Sequence, residues 1–155
     1  MPSLLLVPLL ALCAQQLTAT EMSVGGAAAM ARRTFVGAEL GLARRPSTDS
    51  RIALAVAGGS SAERAAARAQ LTLQLLVNPS ARSGMGLYAG VGTAFVARRE
   101  SPGQGFLVVL LGLEGRPGRR QGWYVELGLA GGVRAAAGWR LRRFPPWWSG
   151  RAGGR

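Results

Sequence analysis

Side chains repeat every 3.6 residues around a helix and every two along a strand, and in this chain period two prevails in one run after another. From Ala67 to Val77, the residues Ala67, Ala69, Leu71, Leu73, Leu75 and Val77 fall on one face, against Arg68, Gln70, Thr72 and Gln74 on the other. A helix would scatter these residues around its circumference. Gly84–Arg98 divides the same way, with Met85, Leu87, Val91 and Phe95 opposite Gly86, Tyr88, Gly90 and Gly92. So do Trp123–Ala130, with Val125 and Leu127 opposite Tyr124 and Glu126, and Val133–Arg142, with Trp139 and Leu141 opposite Arg134, Gly138 and Arg140. Thr34–Ala43 sets Val36, Leu40 and Leu42 against Gly37, Glu39 and Gly41, while Arg51–Ala57 sets Ile52, Leu54 and Val56 against Arg51 and small residues. Met22–Ala31 is a weaker first strand, and Phe106–Glu114 is apolar on both faces but of strand length and rich in Val.

Turn-forming residues mark six of the seven junctions between these runs: Arg45–Ser50, Gly58–Ser61, Asn78–Gly84, Ser101–Gly105, Gly115–Gly118 and Gly131–Gly132. Asp49, the only Asp, falls in one of them as a turn-former. Each connection is short enough for a hairpin, so the expectation is an all-β chain forming an antiparallel up-and-down β-barrel of about eight strands, preceded by a signal-peptide helix. The expected organisation is a signal peptide over 1–20, a barrel over 21–143 and a disordered Pro/Trp/Arg/Gly tail over 144–155.

The leader rests on the apolar run Leu4–Ala14, of the length exported proteins carry, followed by Gln15-Gln16 and small residues at Ala14 and Ala19. Cys13, the only Cys, invites a lipoprotein reading, but Leu12 stands directly before it where a small residue is wanted. Beyond the leader no segment reaches the roughly 20 consecutive apolar residues of a spanning helix. An exported chain that is 48% hydrophobic has two destinations left: a secreted globule, or an outer membrane crossed by strands.

A net charge of +12 raises nucleic acid first, but the arrangement speaks against it. Every basic residue is Arg, and they recur in pairs between apolar runs, at Arg32-Arg33, Arg44-Arg45, Arg98-Arg99, Arg119-Arg120 and Arg142-Arg143, as punctuation rather than a patch. Such pairs at strand ends suit phosphates of lipid or lipopolysaccharide, because guanidinium forks bind them bidentately; plain solvation of barrel rims explains them as well. With no His, no Lys and no Cys after the leader, the catalytic pairs Ser-His, Cys-His and Ser-Lys and a thiolate or imidazole zinc site are excluded, and no metal or cofactor is expected. Glu39 and Glu126 have the residue types of a glycosidase pair, but carboxylates beside Arg inside a barrel are more often structural. Gly84-Met-Gly86-Leu-Tyr-Ala89 matches a relaxed dinucleotide fingerprint, which its strand context refutes.

Alternation alone leaves open which face turns inward. The non-apolar face is mostly Gly and Ala with a few charges, which suits a crowded lumen better than water. On that face Glu39, Arg68, Glu126, Arg134 and Arg140 are the candidate lumen ion pairs, since unpaired burial would cost several kcal/mol. Trp123 and Trp139, near strand ends on the apolar face, are the candidate interfacial aromatics. The alternative is a secreted or periplasmic, lipocalin-like soluble barrel with an apolar ligand inside.

Ser23–Gly26, Phe35–Leu42, Gly86–Gly92 and Tyr124–Leu129 give the chain a texture that resembles the small bacterial outer membrane β-barrel proteins, over almost all the sequence after the leader. The resemblance implies a non-enzymatic outer membrane protein with a structural, adhesive or minor transport role. It also implies a monomer that meets membrane lipid or lipopolysaccharide and the outer membrane assembly machinery, and no nucleic acid. Members end on a strand with a terminal aromatic; this chain continues after Arg142 through Phe144-Pro-Pro-Trp-Trp148.

Overall fold

A computed structural model describes residues 16–99 and 101–150. The leader run therefore lies outside the described residues, as do residues 151–155. Eight strands follow one another: β1 (Ala19–Met30), β2 (Phe35–Arg45), β3 (Ser50–Ser61), β4 (Arg64–Leu76), β5 (Met85–Arg98), β6 (Ser101–Gly115), β7 (Gln121–Leu129) and β8 (Val133–Arg143). Each pairs antiparallel with its sequence neighbours, and β1 pairs with β8 from Thr20↔Arg143 to Met30↔Val133, which closes the barrel. A short helix, α1 (Pro146–Gly150), follows β8.

The alternation resolves with its apolar face outward. Leu40, Leu71, Leu73, Val91, Leu111, Leu127 and Leu129 are all exposed, while their neighbours of opposite parity are buried or half-buried. On β6, apolar on both faces, Leu107, Val109, Leu111 and Leu113 point out and Val108 and Leu110 point in. These two inward residues pack with Leu76, Tyr88, Ala94 and Ala130. Small residues opposite large ones make the narrow interior workable. A Cβ on Gly112 would fall on the Tyr88 ring, so this glycine is required by a close approach.

Four boundaries differ from expectation. β1 starts at Ala19, so two residues assigned to the leader belong to the barrel wall. Gly58–Ser61 is strand, not connection, because without a side chain the Gly59 backbone comes close against Val36 and Gly37. The turn falls instead at Ala62 and Glu63, whose φ values of 51° and 62° meet the type I′ requirement with residues that give no turn signal. Ser101–Gly105 is likewise strand, joined to β5 through an irregularity between Val96 and Arg98. That break accommodates Pro102, which has no N–H to donate. Finally, the stretch after β8 is ordered where described. Phe144 is buried with Leu17 and Ala19, and Trp147 and Trp148 pack against them, because the barrel end presents apolar surface that this aromatic segment covers.

The two ends differ. One, the turn end, carries the connections 31–34, 62–63 and 130–132 and the link from β5 to β6. The other, the tail end, carries 46–49, 77–84, 116–120 and the described chain termini.

Candidate functional site

Among the described residues, charged side chains converge in the lumen. Four carboxylates and six guanidiniums are buried there, held by strand parity on the inner face. They form two clusters joined by Arg140.

Nearer the turn end, Arg134 on β8 bridges two carboxylates. Its Nη2 donates to both oxygens of Glu39 at 2.8 and 2.7 Å, and its Nη1 donates to Glu126 Oε2 at 2.8 Å. The second Glu126 oxygen accepts from the Tyr88 hydroxyl at 2.8 Å and lies 3.7 Å from Arg140 Nη2. Arg140 itself sits between two rings, 5.5 Å from the centroid of Tyr88 and 4.7 Å from that of Tyr124.

The tail-end cluster is built on Glu21 of β1 and Glu114 of β6. Glu114 Oε2 accepts from Arg51 at 2.9 Å, Arg140 at 2.6 Å and Arg142 at 2.9 Å, and Oε1 accepts from Arg45 at 3.4 Å. Glu21 accepts from Arg45 Nε and from Arg51 Nη1, the latter at 3.0 Å. Arg51 also donates to Gln74 at 2.7 Å and lies 4.5 Å above the Tyr88 ring. Spare donors of Arg45 reach the carbonyls of Pro79 and Pro117, so the 77–84 and 116–120 connections are tied across the tail-end opening. Over them Trp148 Nε1 donates to Gly118 O at 2.9 Å, and Arg82 caps the Trp148 ring at 4.3 Å while donating to its carbonyl.

The sequence candidates fall as follows. Glu39, Glu126, Arg134 and Arg140 are brought together. Arg68 is buried on the same inner face but joins no carboxylate: it donates to Gln70 Oε1 at 3.1 Å, and its Nε has no partner. Glu39, Ala57 and Arg68 share a ladder row, so the backbones of Glu39 and Arg68 stand two strands, about 10 Å, apart, and Arg134 takes both oxygens of that carboxylate. Trp123 and Trp139 are direct cross-strand partners on the outer face, with Trp123 half-buried against Gly115.

Sequence reasoning singled out none of Glu21, Glu114, Arg45, Arg51 and Arg142 as lumen ion-pair residues. Arg45 and Arg142 read there as members of rim pairs, Arg142 also on the face of Arg134 and Arg140, and both point inward. Parity was the available signal: Arg45 shares the face of Glu39 and Gly41, and Glu114 that of Leu110 and Gly112.

Between the clusters the free space amounts to about 20 Å³, room for roughly one water molecule. At the turn end the lumen widens into an open cup of about 550 Å³. An apolar interior, which a lipocalin-like pocket needs, is therefore not what the barrel encloses.

No protein family profile and no curated protein matches the sequence. Solved structures do match in fold. The N-terminal β-barrel domain of Pseudomonas aeruginosa OprF is 16% identical, over 81% of this chain and 97% of that one, with a TM-score of 0.61. Neisserial surface protein A is 13% identical, over 80% and 96%, with a TM-score of 0.55. The chain has the closed, eight-stranded antiparallel barrel fold of these outer membrane proteins.

Proposed function

We propose that this chain is an outer membrane β-barrel protein that works without catalysis, as a structural or surface-binding element. The observation that carries this is the inversion of the barrel: its belt of Leu, Val and Ile faces outward and its charges face inward. In water such a belt is an aggregation liability, whereas in a bilayer it is the required surface. Strands of 9 to 15 residues are long enough to cross the hydrocarbon region when tilted.

The filled lumen favours a structural or adhesive role over passage of solutes, since free space of about 20 Å³ between the clusters admits no solute stream. Glu39 and Glu126 share one guanidinium and enclose no substrate-sized space, which favours an architectural over a glycosidase role. The surface location in the name of Neisserial surface protein A agrees with this reading. Trp123 and Trp139 are assigned to the headgroup level, and the rim Arg pairs to lipid or lipopolysaccharide phosphates. The protein is taken to be a monomer, exported by its leader and inserted by the outer membrane assembly machinery.

Heat-modifiability tests the placement. The chain without residues 1–15, refolded into detergent micelles, is expected to migrate differently boiled and unboiled, with a β circular dichroism spectrum that depends on detergent. A soluble, monodisperse β protein in plain buffer would sink the proposal.

A further inference from the structure

Among the described residues the buried charges of the lumen do not balance: six Arg face four Glu. At the tail end Arg45, Arg51 and Arg142 each meet a carboxylate, and spare donors of Arg45 and Arg142 reach the backbone carbonyls of Pro79, Pro117 and Arg119, although Arg51 Nη2 and Arg142 Nε have no hydrogen-bond partner. Near the turn end the surplus is Arg68, 3% exposed, with an amide oxygen as its one side-chain hydrogen-bond acceptor and an unpartnered Nε. A buried guanidinium without a directly paired carboxylate is costly, and the Glu39 charge within its reach is already shared with Arg134, so this position calls for an anion.

The surroundings are shaped for one. Arg68 lines the 550 Å³ cup, whose rim carries Arg32, Arg33 and Arg98; no carboxylate is among its described lining residues. Arg32 and Arg33 are exposed and make no ion pair among the described residues, and Arg98 is held by a bond from Nε to Ser61 at 3.3 Å that leaves its terminal nitrogens free to turn inward. The remaining wall is largely apolar, from Phe35, Val96 and Phe106, with Gln104 as a polar member. Several guanidinium forks converging on one space match a tetrahedral oxyanion. The cup is also far larger than a phosphate ion, and its apolar wall suits a hydrocarbon portion attached to the anion.

We propose that the turn-end cup is a binding site for a phosphate ester, with Arg68 at its base as the buried counter-charge and Arg32, Arg33 and Arg98 at its mouth. The site deepens the outer membrane reading and rests on it for the source of the ligand, a phosphorylated lipid headgroup; a free phosphate shares the same chemistry.

The test uses the chain refolded in a maltoside detergent, which contains no phosphate, with the barrel verified by heat-modifiability. Calorimetric titration is carried out with inorganic phosphate and, separately, with short-chain dihexanoyl phosphatidic acid. Phosphatidic acid is expected to bind at least ten-fold tighter than phosphate, with binding weakening as salt rises. Arg68→Met is expected to weaken it at least ten-fold. The double variant Arg32→Gln/Arg33→Gln, confined to an exposed turn, keeps the test alive if Arg68→Met does not fold, and is expected to lose several-fold. Arg120→Gln, at the opposite end, is expected to change nothing. Equal affinity for the two ligands supports the oxyanion site and identifies free phosphate as its source. A folded barrel that binds neither, or one whose binding survives both Arg variants, overturns the site alone. Failure to form a heat-modifiable barrel overturns the outer membrane reading instead.

Discussion

The two ends of this barrel solve the same problem in opposite ways. At the tail end a dense ion-pair cluster is covered by Pro79 and Pro117 and then by Phe144 and Trp148, so every layer has a partner above it. At the turn end the connections are too short to fold over the opening, and the last buried cation, Arg68, faces an open cup. Each guanidinium of the sealed end is paired with a carboxylate, whereas Arg68 has no such pair, and the proposed binding site lies there. The difference lies in the length of chain available to each end rather than in the composition of the wall.

The sharpest way to break the comparison is to disarm the sealed end. Glu114→Gln removes the charge on which four guanidiniums converge, and is expected to cost about 3–5 kcal/mol, because the remaining cations stay buried and uncompensated. The urea midpoint of the heat-modifiable band reads it; a midpoint within experimental error of the parent would refute the central role of this carboxylate. Phe144→Ala uncovers the same end and should lower stability by about 2 kcal/mol, the worth of one buried aromatic side chain. The same urea titration decides this, and an unchanged midpoint would mean that the aromatic cap contributes nothing.

Changes at the turn end should be smaller. Ala62→Asn with Glu63→Gly places turn-adapted residues where φ is 51° and 62°, and is expected to stabilise the barrel by about 1 kcal/mol by relieving left-handed strain. A lower midpoint would contradict the I′ assignment. The least effect on stability belongs to Arg32→Gln/Arg33→Gln, within about 0.5 kcal/mol, as for exposed residues without partners. Loss of stability there would mean these Arg brace the fold and are not free for a ligand.

The legibility of this protein was uneven for physical reasons. Period-two alternation read directly as strands, since a wall between two unlike environments must alternate, and eight runs became eight strands. Gly58–Ser61 and Ser101–Gly105 were misread because Gly and Pro signal turns in general but here serve close backbone approach and a strand irregularity. Glu39, Glu126, Arg134 and Arg140 were legible as inward charges on clear strands. Glu21 lay too close to the leader, Glu114 ended a run apolar on both faces, and Arg45 and Arg142 were disguised as members of Arg pairs whose other halves point outward.

By itself the sequence determined the barrel wall: strand number, antiparallel order and which face of each strand is apolar, because side-chain parity is a local property of an extended chain. Tertiary structure alone decided which carboxylate each guanidinium meets, since partners such as Arg134 and Glu39 are 95 residues apart and meet only when β8 closes on β1. It also decided that one end is sealed and the other open, because only closure of the barrel brings the connections, the aromatic cap and the surplus cation to opposite mouths.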